Sequence, residues 1–135
     1  MPGELSRTDG ARPRVLAADD DAAFGELVAH LLDVTPGLEC VGVVASGEEA
    51  VSRCEELHAD LVLMDVAMPG FGGVEAARRI KERCSSTVVV LISTTHPDDL
   101  PREAEECSAD AIVWKADLRP ALLEEIWLRH RPHPC

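Results

Sequence analysis

The chain contains no tyrosine and only two phenylalanines and two tryptophans in 135 residues, so aromatics are 3% of it. Its core must therefore be built from Val, Leu, Ile and Ala, which suits a parallel sheet buried on both faces. Positive charge is also short. Thirteen Lys and Arg stand against twenty-five Asp and Glu, a net charge of -12, which repels a phosphate backbone and excludes nucleic acid as a direct partner. No apolar run reaches membrane-spanning length, and the start MPGELSRTDGARP lacks the apolar centre of a signal peptide, so no membrane partner and a cytoplasmic location are expected. Cys40, Cys54, Cys84, Cys107 and Cys135 are odd in number and include no C-x-x-C pair. That fits neither a disulfide framework nor a zinc site, and they are read as reduced thiols, mostly small core residues.

What is present is ordinary globular composition, with 46% hydrophobic and 28% charged residues, at a length suited to one domain. Residues 1–13 read as a flexible N-terminal arm, 14–130 as the domain and 131–135 as a C-terminal tail. The ending RHRPHPC leads to the expectation of a stand-alone unit with no output domain.

"RVLAADDD" is an apolar strand ending in acids that can cap a helix. Phe24, Leu27, Val28, Leu31 and Leu32 then follow at helical spacing, up to the turn Thr35-Pro36-Gly37. "LECVGVVAS" is a second strand, and Ser46 with Glu49 makes a capping box for a helix to about Leu57. "DLVLMD" is the third strand, followed by MPGFGG and a helix carrying Val74, Ala77 and Ile80. "TVVVLIS" is the fourth, strongly β-branched strand. The stretch TTHPDDLPREAEEC predicts a short polar helix interrupted by Pro97 and Pro101, the least stable element. "DAIVWK" is the fifth strand, and the last helix runs from Leu118 to about Arg129 with Pro120 in its first turn. Five strands alternating with five helices predict a doubly wound α/β domain, (βα)5, with right-handed crossovers.

In such sheets sites form beyond the carboxyl ends of the strands. The first strand ends in Asp19 and Asp20, the third in Asp65, the fourth in Ser93 and Thr94, and the fifth in Lys115. Three carboxylates brought together cannot all stay ionised without a counter-ion. Mg²⁺ answers this, because it takes carboxylate, carbonyl and water oxygens and leaves positions open for phosphate. Lys115 adds a second positive centre, Ser93 can donate to a phosphoryl oxygen, and Asp65 becomes a candidate nucleophile, since carboxylates form aspartyl-phosphates.

The combination of Asp19-Asp20, "LVLMDVAMPGFGGVEA", Ser93 and Lys115, in that order from about Arg14 to Arg129, resembles the receiver domain of two-component response regulators. The resemblance implies a flavodoxin-like strand order 2-1-3-4-5. It implies Asp65 as phosphoacceptor from a sensor histidine kinase or phosphotransfer protein, and Mg²⁺, with Mn²⁺ as substitute, on Asp19, Asp20, Asp65 and the backbone carbonyl of Ala67. Ser93 would bind the phosphoryl group and Lys115 would pair with it. The expected product is a switch rather than an enzyme, acting on an unknown downstream protein and admitting transient homodimerisation through the fourth and fifth helices. Three positions depart from the family pattern, one of them Ser108 in place of a glycine common before the fifth strand. Ile112 stands where an aromatic switch residue is often found, and Ala116 replaces the proline often found after the lysine, so the Lys115–Ala116 bond is expected to be trans.

Taken singly these residues have plainer readings. The aspartates could be a helix cap and a turn residue, Ser93 and Thr94 strand-end residues, and Lys115 a side chain reaching water. Their joint order favours the functional set. The five histidines show no ligand spacing and are expected to face solvent, and Trp114 and Trp127 to pack. A haloacid dehalogenase-type phosphohydrolase wants a second Asp where this chain has Ala67, and a flavin carrier wants a phosphate-cradling loop after the first strand. The remaining alternative is a non-phosphorylated pseudo-receiver acting as a docking module.

Overall fold

The structure, a computed structural model, describes residues 12–100 and 108–132. Residues 1–11 of the expected arm and 133–135 of the expected tail lie outside the described residues. So does the second half of the expected polar helix after the fourth strand, of which the 3₁₀ turn Pro97–Asp99 is described.

The described elements are β1 (Arg14–Ala18), α1 (Ala22–Asp33), β2 (Glu39–Val44), α2 (Gly47–Leu57), β3 (Leu61–Asp65), α3 (Gly72–Arg83), β4 (Val88–Ser93), β5 (Ala111–Trp114) and α4 (Pro120–His130). All strand pairs are parallel, in the expected order β2-β1-β3-β4-β5. The chain order reverses between β1 and β3, which makes the carboxyl ends of these two neighbours the crevice of the sheet.

Strand alternation sorts the core into two layers. Leu16, Ala18, Val62, Met64, Val89 and Leu91 face α2 and α3, where Ala50, Cys54, Ala76 and Ile80 meet them. Val15, Ala17, Leu61, Leu63, Val90 and Ile92 face Val28 and Leu32 of α1 and Leu123 and Ile126 of α4. All five residues of β3 and all six of β4 are buried. Each fully buried Leu or Val contributes about 1.5–3 kcal/mol, so these two strands anchor whatever they carry at their ends.

The caps follow the sequence closely. Asp21 caps α1, its carboxylate accepting from Ala23 N and Phe24 N. Ser46 caps α2 by accepting from Glu49 N at 3.1 Å, while the Glu49 carboxylate reaches Ala45 N at 3.2 Å, one residue before the cap. The last helix starts two residues later than expected. Lys115–Asp117 form a 3₁₀ turn, and Pro120 opens the helix where its missing N–H costs nothing. Leu27 is a correction. Helical spacing places it in the apolar stripe of α1, but it is 49% exposed. The buried face centres on Gly25, Val28 and Leu32, and one residue along a helix of 3.6 residues per turn carries Leu27 away from it.

At the amino edge of the sheet Lys81 bridges several elements. Its ammonium reaches Asp110 Oδ2 at 2.9 Å, Thr87 O at 2.7 Å and Ser85 O at 3.1 Å. The same Asp110 oxygen accepts from Val89 N at 2.9 Å, so the starts of β4 and β5 are held together by one cation and one carboxylate.

Candidate functional site

The segment "VLMDVAMPG" runs a buried strand straight into a carboxylate. Asp65 closes β3 and is only 7% exposed, and Asp19, directly after β1, is 4% exposed. Burying two ionised carboxylates is costly without positive charge nearby. Lys115, directly after β5, supplies it, with its ammonium 2.7 Å from Asp19 Oδ2 and 3.6 Å from Asp65 Oδ2. The plainer reading of Lys115 as a water-seeking side chain therefore fails, since only 13% of it is exposed.

Carboxylate oxygens of Asp19, Asp20 and Asp65 lie within 4.8 Å of one another. Asp19 and Asp65 are buried and Asp20 is exposed, so the cluster opens to solvent on the Asp20 side. Asp19 Oδ1 accepts from Asp21 N at 2.8 Å. Its Oδ2 has no aligned hydrogen-bond donor despite the 2.7 Å contact with Lys115, which is an ion pair outside hydrogen-bond angles. A buried, hard, anionic oxygen with unspent capacity, beside two more carboxylates, fits a divalent cation such as Mg²⁺.

Burial pushes the Asp65 pKa up, and the Asp19 charge pushes it the same way. Lys115 and the Ala67 N–H, which donates to Asp65 Oδ1 at 3.3 Å, oppose this without cancelling it. Burial alone would lower the Lys115 pKa, but Asp19 and Asp65 outweigh it and the net shift is upward. The lysine is thus held as a cation among groups of opposite sign.

Ser93 ends β4 and is 4% exposed, with its hydroxyl oxygen accepting from Thr95 N at 2.9 Å. Asp65 pairs in register with Ile92, which places Ser93 one residue further toward the same edge. Ala67 lies in the exposed turn just beyond Asp65. All the residues singled out in the sequence therefore gather at the carboxyl edge around the β1/β3 crevice.

The turn that follows is shaped by glycines. Gly70 and Gly72 have φ of 81° and 77°, in the left-handed region, and a Cβ on Gly73 would sit 2.1 Å from the Asp65 carbonyl oxygen. Helix α3 can approach the end of β3 only with glycine there.

Among the described residues no peptide bond is cis, Lys115–Ala116 included. Trp114 is half-buried and its indole N–H donates to Thr94 O at 3.1 Å, with the His96 ring edge-on at 5.2 Å. It thus joins β5 to the loop after Ser93 rather than merely packing. Sequence reasoning missed Phe24 at the site, where Lys115 Nζ lies 4.0 Å from the ring centroid. The available signal was an aromatic, in a chain with four, placed five residues after Asp19.

Comparisons with known proteins agree with this geometry. Residues 15–126 match the response regulator receiver domain family. Response regulator GacA of Pseudomonas viridiflava is 35% identical over 102 residues, covering 76% of this chain and 48% of that protein. A protein-glutamate methylesterase/protein-glutamine glutaminase of Pseudomonas fluorescens (strain Pf0-1) is 32% identical over 114 residues, 84% of this chain and 29% of its own length. The chain thus spans half or less of these relatives. Among solved structures, the response regulator domain of Thermotoga maritima CheB superposes with a TM-score of 0.78 at 28% identity, covering 92% of this chain and all of that one. A two-component response regulator of the LuxR family from Aurantimonas sp. SI85-9A1 gives the same TM-score and identity over 90% of this chain and 89% of that one. No described helix is long and apolar enough to cross a membrane. The chain belongs to the response regulator receiver domain family, a signalling switch of two-component systems that accepts a phosphoryl group on aspartate and binds Mg²⁺ in an acidic pocket.

Proposed function

We propose that Asp65 is the phosphoacceptor of a receiver unit spanning residues 14–130, and that phosphorylation there changes the protein's binding surface. The observation that carries this reading is the placement of Asp65 on a fully buried strand, within 4.8 Å of Asp19 and Asp20 carboxylate oxygens and 3.6 Å from the Lys115 ammonium. A carboxylate so surrounded is held rigidly and faces cations that can absorb the charge of an incoming phosphate.

Asp19, Asp20 and Asp65, with the Ala67 carbonyl, would hold Mg²⁺, and Mn²⁺ would suit the same oxygens. When bound, the ion neutralises charge on the transferring phosphoryl group. An Asp65 carboxylate oxygen attacks phosphorus. A new O–P bond forms as the P–N bond to the kinase or phosphotransfer histidine breaks, and its electron pair leaves on the imidazole nitrogen. Lys115 turns from the carboxylates toward the phosphoryl oxygens. The Ser93 hydroxyl, whose proton is not used by the bond it accepts from Thr95 N, donates to one of them and draws the loop after β4 inward. Hydrolysis of the acyl phosphate returns inorganic phosphate and resets Asp65.

The group adds nearly two negative charges. Movement of Ser93 would pass through Thr94 to Trp114 and β5, biasing the face formed by β4, β5 and α4 toward or away from a downstream protein or a second copy of this chain.

The test is intact mass after incubation with acetyl phosphate and Mg²⁺, with Asp65→Asn and a chelator as controls. Gain of one phosphoryl group that requires both Asp65 and the metal is the expected result. No gain by a folded protein, with either acetyl phosphate or phosphotransfer proteins, refutes it and leaves the docking-module reading.

A further inference from the structure

Lys115 has a third neighbour besides the two aspartates, and it carries no charge. The Phe24 ring lies beneath the ammonium, 4.0 Å from its centroid. Phe24 stands in the first turn of α1, where its backbone N–H donates to Asp21 Oδ1 at 3.3 Å. Asp21 N in turn donates to Asp19 Oδ1 at 2.8 Å, and Lys115 lies 2.7 Å from Asp19 Oδ2. These four contacts close a ring, Asp19 to Asp21 to Phe24 to Lys115 and back. The start of α1 is thereby built into the site through its cap.

We infer that Phe24 is a positioning residue for phosphoryl transfer, its ring face holding the Lys115 ammonium in place when the Asp19 carboxylate is drawn away from it. The inference rests on the reading of Asp65 as phosphoacceptor. Its physical basis is a conflict over Asp19. That carboxylate is the tightest partner of Lys115, yet it belongs to the trio suited to a divalent cation, so a bound ion draws on the charge that now fixes the lysine. A four-carbon stem released from its counter-ion has many rotamers to explore. An aromatic face attracts an ammonium by its quadrupole without neutralising it. Phe24 can therefore keep Lys115 over the site and leave its full charge for a phosphoryl oxygen, which a third carboxylate could not. A parallel occurs at the only other phenylalanine, where the Arg79 guanidinium lies 4.2 Å from the Phe71 centroid.

The test uses the full chain, acetyl phosphate and saturating Mg²⁺. Phosphorylation rates are measured by intact mass for Phe24→Leu, Phe24→Met, Phe24→Tyr and Phe24→Trp, and for a series of fluorinated phenylalanines incorporated at position 24. In parallel, the Lys115 ε-methylene resonance is followed for the upfield ring-current shift that a ring beneath it imposes. Leu and Met are expected to slow phosphorylation roughly threefold to thirtyfold, the span of ammonium–aromatic contacts from exposed to desolvated sites. Tyr and Trp should restore much of the rate, and each added fluorine should lower it stepwise. Fluorinated rings keep nearly the shape of phenylalanine, so equal rates across that series would mean that only packing matters and would overturn the inference, even if Phe24→Leu proved unstable. An unshifted Lys115 resonance with Mg²⁺ bound would overturn it as well. Failure of the unsubstituted protein to take up phosphate would strike the reading of Asp65 instead, and the Lys115 resonance would still decide whether the ring holds the ammonium.

Discussion

Replacing Lys115 with methionine removes the cation that Asp19 and Asp65 share while keeping a straight chain of similar size. At 2.7 and 3.6 Å, with an effective dielectric of about 20, the two contacts represent about 6 and about 5 kcal/mol of gross Coulomb attraction. Most of this offsets the cost of taking the three groups out of water. What the substitution exposes is a pair of buried carboxylates left without a cation, a situation that costs about 3–5 kcal/mol. The carboxylates can relieve part of that by binding a proton, so the expected loss in the presence of a chelator is about 3 kcal/mol. Mg²⁺ should shrink the gap, because it supplies the missing charge and stabilises the variant more than the parent. Urea unfolding followed by circular dichroism, at neutral pH with chelator or with saturating Mg²⁺, measures both quantities. A loss under about 1 kcal/mol, or a loss that Mg²⁺ leaves unchanged, would refute the account of the site as a charge-balanced pocket.

Asp65→Asn should make the metal-free protein more stable at neutral pH. The folded-state pKa of Asp65 is raised above the ordinary 3.8, so its ionised form destabilises the fold above that raised value. The penalty, and with it the advantage of Asn, should vanish as pH falls through the raised pKa and below 3.8, as a urea midpoint series across that range would show. Gly73→Ala should weaken the fold by about 1–2 kcal/mol, because a Cβ 2.1 Å from the Asp65 carbonyl oxygen forces overpacking of about 2–3 kcal/mol, against roughly 1 kcal/mol gained in helix propensity. An unchanged urea midpoint would contradict that. Burial chiefly pushes the Cys54 thiol up to about 11, leaving about one part in a thousand as thiolate near pH 8. Cys54 should therefore label with disulfide reagents about a hundredfold more slowly in the native protein than in urea, and mass mapping of the labelled cysteines would reveal any faster reaction.

The five strands and their order were readable because the signals are local or topological. Apolar runs such as "LVLMD" and "VVVLIS" end in polar residues, and parallel crossovers send all such ends to one edge. The convergence of Asp19, Asp20, Asp65 and Lys115 follows from that alone. The partners that are not strand ends were hidden. Phe24 was legible only as a core-facing helix residue, because its place under Lys115 depends on how α1 packs on β1 and β2 and how far Lys115 reaches back from the end of β5. Leu27 was misread for a related reason, since period counting finds an apolar stripe but not which residue at its margin the sheet covers. Trp114 offered a plain packing reading, and its bond to Thr94 joins residues twenty apart across a strand pair.

The Lys81 cluster at the opposite edge has a mechanical consequence. It ties Val89 and Asp110, at the starts of β4 and β5, to the end of α3. The far end of β4, Ser93, lies four residues from that tether, a lever of about 13 Å. With its near end fixed and its length paired to β3 and β5, the strand resists sliding, so a pull on Ser93 would be taken up as a tilt of its far end. A rotation of about 5° about the tether moves the tip by roughly 1 Å while leaving Val89 almost still. Weakening the fulcrum with Lys81→Met would then blunt the transmission of the proposed phosphorylation signal while leaving Asp65, Ser93 and Lys115 unaltered.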